Sequence, residues 1–265
     1  MSFSVDGKTV IVTGAANGIG AALARHFAEN DANVMCADID EKALKKDLGE
    51  SGDDSNVRYF AGDLREKLTL ANLLSATVDA FDRVDVLVNA SRQVATDPLD
   101  MDDETVEKLL QQNLMTSLRL SQLVAKRMIK QDEEQDHEFA GTIINLSSIA
   151  ARLTQPDLLA YSVSTAALEQ MTRSMAVALA KYRIRVNAVS FGSVMSASLQ
   201  DELRENPDLR KEIEAHTPAG RIAPASDVVE AVHFLASNAA GFITGQVINA
   251  DGGRSLIDPV SIAAH

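Results

Sequence analysis

The sequence holds a single cysteine, Cys36, so no intrachain disulfide can form. That thiol lies in a strand-like run, where burial and inertness outweigh a nucleophilic role, and a reducing, cytoplasmic setting fits such usage. Positive charge is also short: 25 Lys and Arg against 38 Asp and Glu leave a formal charge of -13. The acidic residues are interspersed rather than blocked, so the charge serves solubility and argues against nucleic acid or an anionic membrane surface as a partner. Nothing approaches the ~20 apolar residues of a membrane span, and the opening MSFSVDGKTV has no apolar stretch of signal-peptide length. The histidines (His26, His137, His216, His233 and His265) are scattered without ligand-like spacing, which leaves no candidate metal site. Repeats, low-complexity tracts and Pro/Gly-rich linkers are missing as well, so one domain over residues 1–265 is expected.

What is present is a chain of 46% hydrophobic residues in which short β-like runs alternate with helical stretches. This pattern predicts βαβ units in an α/β fold: a doubly wound parallel sheet of about seven strands with helices on both faces. The expected strands are Thr9–Val12, Asn33–Ala37, Val57–Ala61, Val84–Asn89, Thr142–Leu146, Arg185–Val189 and Gln246–Asn249. Helices are expected over Gly18–Glu29, Glu41–Leu48, Lys67–Ala80, Asp103–Ile129, Tyr161–Lys181, Leu199–Ala215 and Ser226–Ala236, and a solvated polar loop over Gln131–Phe139. The helix from Tyr161 carries apolar and small residues nearly all round, whereas a surface helix shows one stripe. The sheet can cover only one of its faces, which points to a second subunit on the other.

The first strand and helix enclose TGAANGIG, with glycines at 14, 18 and 20. Glycines between a strand and a helix let the backbone turn tightly and approach a pyrophosphate at the positive helix end, so Gly14, Asn17, Gly18, Ile19 and Gly20 are candidate dinucleotide contacts. Asp38 ends the second strand eighteen residues after Gly20, followed by Ile39. An acid there accepts hydrogen bonds from the adenosine ribose hydroxyls and repels a 2′-phosphate, favouring NAD over NADP; the competing role for Asp38 is to cap the next helix.

The chain is organised around Ile143 to Thr165, IINLSSIAARLTQPDLLAYSVST. An apolar run ends in a Ser pair, passes through a loop and restarts in a helix, so Ser148 and Tyr161 bring two hydroxyls to the sheet end where open α/β folds gather their chemistry. Together with TGAANGIG, this stretch resembles the short-chain dehydrogenase/reductase family.

That resemblance implies a Rossmann-type fold, an NAD cofactor and interconversion of a secondary alcohol and a ketone on a small-molecule substrate. It assigns Tyr161 as acid/base, Ser148 as the group polarising the substrate oxygen, and Asn113 as the holder of a water linked to a catalytic Lys. It places Asp63 and Leu64 at the adenine and Asn89 of LVNASR beside the cofactor. In VNAVSFGSVMS it places Gly192, Val194 and Ser196 at the nicotinamide carboxamide, with a substrate lid around 193–222. FITGQVINADGG matches the closing strand. Members are usually dimers or tetramers built on the helix from Tyr161.

Of the family's usual Asn-Asn-Ala-Gly after the fourth strand only Asn89 survives, and three of the departures from the family pattern bear on the chemistry. Where a Lys follows the Tyr by four residues, this chain has Thr165; Arg92 takes a Gly position and Phe191 a Pro position. An unperturbed Tyr has a pKa near ~10, and bringing such a group to neutrality takes about 4 kcal/mol of charge stabilisation. Thr165 supplies no charge, so turnover is expected to be slow unless another cation, Arg92 first among them, substitutes. Arg92 has other readings, as a solvated side chain or as a contact to a substrate carboxylate or ribose. The runner-up function is a non-catalytic NAD-binding subunit.

Overall fold

The computed structural model describes residues 3–48, 55–96, 103–133 and 139–258. Part of the expected 131–139 loop lies outside them, as do His137 and His265. Seven strands form one sheet: β1 (Thr9–Thr13), β2 (Asn33–Asp38), β3 (Val57–Ala61), β4 (Val86–Asn89), β5 (Gly141–Ser148), β6 (Ile184–Phe191) and β7 (Val247–Ala250). They run parallel in the order β3-β2-β1-β4-β5-β6-β7. The chain winds outward in both directions from the β1/β4 pair, so the crevice beyond the carboxyl ends of these two strands is the switch point where such sheets take ligands.

The period of two along a strand sends alternate residues to opposite faces. Val10, Val12, Val86, Val88, Ile144 and Leu146 pack with α1 (Gly18–Glu29), α2 (Glu41–Leu48) and α9 (Ala225–Ala236). Ile11, Leu87, Ile143 and Val186 pack with α3 (Lys67–Phe81), α5 (Thr116–Asp132) and α6 (Leu159–Leu179). Covered on both faces, β5 and β6 are buried at every residue. Cys36 lies within the first of these clusters, and burial pushes its thiol up to about 12, the inert role expected.

Two expected helices are divided. The run from Asp103 is an α-helix, α4 (Asp103–Leu110), then a π-helical turn (Gln111–Met115), then α5. The lid helix is two helices, α7 (Ala197–Glu205) and α8 (Leu209–Ala215), because Pro207 cannot continue α7 and forces extended backbone on the residue before it; Asn206 has φ −124° and ψ 83°. This excursion leaves and rejoins the body at one parallel bridge, Val194 to Ala223. The two longest strands also exceed their expected bounds. β5 and β6 pair from Gly141 with Ile184 to Ser148 with Phe191, so Ser147, Ser148 and Ser190 lie inside strands that apolarity alone would end earlier. No helix among the described residues is long and apolar enough to cross a membrane, and no His, Cys, Asp or Glu cluster among them could hold a metal ion.

Candidate active site

A cleft of about 600 Å³ opens at the switch point. Its floor is the glycine turn between β1 and α1. Gly14 has φ +67°, and a Cβ on it would lie 2.8 Å from the Ser91 Cα; a Cβ on Gly20 would lie 2.0 Å from the Gly14 carbonyl oxygen. Any larger residue would therefore push the turn off α1 or off the chain leaving β4. Thr13 ties those two exits together: its Oγ1 accepts from the Ala90 N–H (3.0 Å) and the Ser91 N–H (3.1 Å). Asn17, at the N-cap of α1, makes no side-chain capping bond. First-turn N–H groups have no acceptor within a helix, so this positive end is free for an anion, and Asn17, Gly18, Ile19 and Gly20 all line the cleft. The cradle fits a dinucleotide pyrophosphate.

Asp38 and Ile39 line the same cleft. One Asp38 oxygen accepts from the Ala16 N–H in the glycine turn (3.1 Å) and the other from the Asp40 N–H (3.1 Å). The capping duty that competed for Asp38 falls to Asp40, whose Oδ1 accepts from Ala43 N–H at 3.0 Å in the first turn of α2. Asp63 and Leu64 border the cleft too. Both carboxylate oxygens of Asp63 receive the Arg65 guanidinium, and those hydrogen bonds hold the carboxyl below its usual range. Arg65 lines the cleft as a cation already engaged, which sequence reading passed over because the pairing is visible only once both side chains are placed.

Asn89 stands elsewhere. Its amide is 3% exposed and donates to Ser121 Oγ (3.0 Å) and Asn145 Oδ1 (2.8 Å), while Asn145 donates to Thr172 Oγ1 (2.8 Å). It binds β4 to β5, α5 and α6 and is absent from the cleft lining, which is supplied instead by Ala90, Ser91 and Arg92. At the far wall, Gly192, Val194 and Ser196 do line the cleft. The Ser196 hydroxyl is engaged: it caps α7 by accepting from Leu199 N–H (3.2 Å) and contacts Ser198 Oγ (3.0 Å).

Tyr161 is 3% exposed in the first turn of α6, and its hydroxyl receives Arg92 Nη1 at 2.6 Å. The same guanidinium stacks on Phe191, with Cζ 4.4 Å from the ring centroid. Arg92 and Phe191 thus touch each other, and Arg92 also touches the phenol. Thr165 is close in sequence but turned away: its Oγ1 donates to its own helix, at the Tyr161 carbonyl (3.0 Å) and the Ser162 carbonyl (3.1 Å).

Asn113 lies in the π-helical turn with both ends of its amide used. Oδ1 accepts from Gln93 N–H (2.8 Å), and Nδ2 donates to the Gln93 carbonyl (2.9 Å) and Ser164 Oγ (3.1 Å). Gln112, unremarked in the sequence, donates to Ser91 Oγ at 2.8 Å. Ser148 is buried at the end of β5, where its Oγ accepts from Ala150 N–H at 3.2 Å. The structure therefore gathers Tyr161, Asn113 and Arg92 into one network and leaves the Ser148 hydroxyl in a local turn.

Comparison with known proteins gives the family. The family model described as "Enoyl-(Acyl carrier protein) reductase" matches residues 14–255. An uncharacterized oxidoreductase of Thermotoga maritima is 35% identical over 258 residues, 95% of this chain and 97% of the relative. A 7α-hydroxysteroid dehydrogenase solved with NADH and 7-oxo glycochenodeoxycholic acid superposes with a TM-score of 0.87 at 29% identity, covering 95% of this chain and 96% of that one. A gluconate 5-dehydrogenase of Burkholderia cenocepacia solved with NADP and tartrate gives 0.86 at 26% identity, covering 97% and 98%.

Proposed function

Since this chain belongs to the short-chain dehydrogenase/reductase family of oxidoreductases, we propose that it is an NAD-dependent enzyme interconverting a secondary alcohol and a ketone on a small-molecule substrate. One observation carries the reading: a single cleft is lined by the α1 N-terminus and Asp38 at one end and, at the other, by Arg92, whose guanidinium touches the Tyr161 hydroxyl.

The bound nicotinamide cofactor supplies the acceptor or donor of a hydride. Gly14 and the first turn of α1, from Asn17 to Gly20, hold its pyrophosphate, and Asp38 with Ile39 takes the adenosine ribose. Asp63 and Leu64 border the adenine, and Gly192, Val194 and Ser196 the carboxamide. Asn89 serves the cofactor indirectly, by fixing the end of β4 from which Ala90, Ser91 and Arg92 emerge.

In the oxidising direction the Tyr161 oxygen takes the substrate hydroxyl proton, and a nicotinamide held by the residues above would supply the acceptor for the hydride of the carbinol carbon. The substrate loses two electrons and two hydrogens and becomes a ketone. Ser148, at the end of β5, polarises the substrate oxygen. Asn113 holds the backbone on the C-terminal side of Arg92. The 193–222 segment, hinged at Val194 and Ala223, covers the substrate. The protein works in the cytoplasm as a homodimer or homotetramer through the outward side of α6, where Val163 and Val177 are 50% and 82% exposed.

The test is a screen of secondary alcohols and ketones with NAD(H), using wild type and Tyr161→Phe. Turnover by wild type that the variant lacks supports the reading. Tight NAD(H) binding without turnover across a broad panel would move the assignment to a non-catalytic subunit.

A further inference from the structure

A phenol with no charge beside it exchanges protons poorly near neutrality, and the helix position one turn on from Tyr161 offers only the hydroxyl of Thr165. We propose that Arg92 supplies the positive charge at the Tyr161 oxygen and is a catalytic residue of this enzyme, an assignment that rests on the oxidoreductase reading above.

The contact itself has the character required. At 2.6 Å, the Nη1 to Oη hydrogen bond is as short as charge-assisted pairs become, and such a bond strengthens when the phenol oxygen acquires negative charge. A guanidinium stays protonated at any working pH, so it stabilises the phenolate without titrating itself. Among the described residues Arg92 has no carboxylate partner. Glu169, the acid further along α6, is taken up by Arg152 (3.5 Å), Arg173 (3.4 Å) and Ser147 (3.3 Å).

Position is enforced from every side. The guanidinium carbon lies 4.4 Å from the ring centroid of Phe191, a residue whose ring a proline could not replace. The backbone before it is held at Ser91, whose N–H goes to Thr13 Oγ1 and whose Oγ receives Gln112. The backbone after it is held at Gln93 by both ends of the Asn113 amide. Gln112 and Asn113 are consecutive, and they can grip either side of Arg92 from the π-helical turn that carries them. Asn113 and Gln112 are positioning residues here. Only one of the five guanidinium N–H groups is spent on Tyr161, and the phenol keeps its own proton and a second lone pair for the substrate.

Ultraviolet titration of phenolate in the cofactor-free protein reads the interaction without any turnover. The chain has three tyrosines, so subtracting the Tyr161→Phe protein isolates one. We expect Arg92→Ala to move that difference titration toward alkaline pH by about one unit or more, a tenfold change, and Arg92→Lys to restore part of it. Identical titrations with and without Arg92 would overturn the proposal. In the loaded enzyme, Arg92→Ala should lower kcat by about 10²–10⁴-fold, with the acid limb of its pH profile moved alkaline, and added guanidinium ion should return part of the rate. A rise in turnover on removing Arg92 would show that it obstructs the site, which also overturns the proposal. A titration that responds to Arg92 in a protein that turns over no alcohol or ketone would uphold the charge assignment and sink the oxidoreductase reading alone.

Discussion

The cofactor preference turns on one carboxylate. Asp38 accepts two backbone N–H groups, one on each oxygen, and faces the cleft with its remaining lone pairs. A 2′-phosphate carries about 1.5–2 negative charges at neutral pH. At a separation of about 5 Å, each unit pair costs about 3 kcal/mol at an effective dielectric of ~20 and about 0.8 kcal/mol in bulk water. Asp38 is partly exposed, so repulsion of NADP should fall between those limits, at roughly 1.5–5 kcal/mol, or from tenfold to thousands-fold in affinity. Asp38→Asn removes the charge while keeping the shape, and should shift the ratio of NADP(H) to NAD(H) dissociation constants at least tenfold in favour of NADP(H). The same change has a structural cost. An amide presents one acceptor where two N–H groups, of Ala16 and Asp40, require one each, so about 1 kcal/mol of stability should be lost and Tm should fall by roughly 2–4 °C. Calorimetric titration of both proteins with both cofactors measures the ratio. Wild type binding NADP(H) as tightly as NAD(H), or an unchanged ratio in Asp38→Asn, would refute the argument.

Three further outcomes follow from the structure. Gly20→Ala puts a methyl 2.0 Å from the Gly14 carbonyl oxygen, backbone against backbone, and should cost at least ~1–3 kcal/mol and most of the cofactor affinity; an unaltered melt and titration would contradict the cradle. His26 is held below its usual range, first by burial and then by His233, whose ring nitrogen lies 2.8 Å away, while Glu230 and Glu29 oppose the shift. Folded His26 thus takes a proton less readily than unfolded, so its contribution is complete above pH ~6.5 and is lost as pH falls below that; Tm should decline there, and His26→Gln should flatten the decline in a pH series of melts. Val163→Asp with Val177→Asp places charge on the exposed side of α6, and light scattering should then report a smaller species than wild type at equal concentration.

Most of the fold was legible because its signals are local. Short apolar runs alternating with helical stretches mark all seven strands, and the bounds of β3 and of α1 fall where the pattern puts them. What failed locally had a local cause: Pro207 inside an apolar period, and a π-helical turn that leaves the spacing of apolar residues undisturbed. The site was less legible because its contacts are long-range. Asn113 meets Gln93 across 20 positions and Arg92 meets Tyr161 across 69, so residue type can nominate these groups but cannot reveal their partners. Asn89 and Ser196 illustrate the same limit, for each is a polar residue at the expected place whose side chain is spent on scaffold or cap. The outward side of α6 is also less apolar than expected, since Gln170, Arg173 and Ser174 share it with Val163 and Val177.

Arg92, Thr165 and Phe191 are better understood together. A lysine at the Thr165 position would put an ammonium one turn from Tyr161; a glycine at the Arg92 position would leave room for it. On the proposed reading the small residue and the cation have exchanged places, and the Arg92 guanidinium carbon lies 4.4 Å from the Phe191 ring centroid. If this exchange is the logic of the site, substitutions at 92 and 165 cannot be additive. Arg92→Gly alone should lower kcat by about 10²–10⁴-fold, because neither position then carries charge. Thr165→Lys alone should also fail to help: Thr165 is 3% exposed, and a second cation within about 4 Å of the first costs about 1–4 kcal/mol depending on how far water screens it. The double variant has one cation and one small residue again, in the opposite places, and should recover much of the rate that Arg92→Gly loses. Steady-state kinetics on the four proteins, with NAD(H) affinity measured alongside, completes the cycle. A Thr165→Lys protein that outpaces wild type with Arg92 still in place would mean that Tyr161 had no cation to begin with.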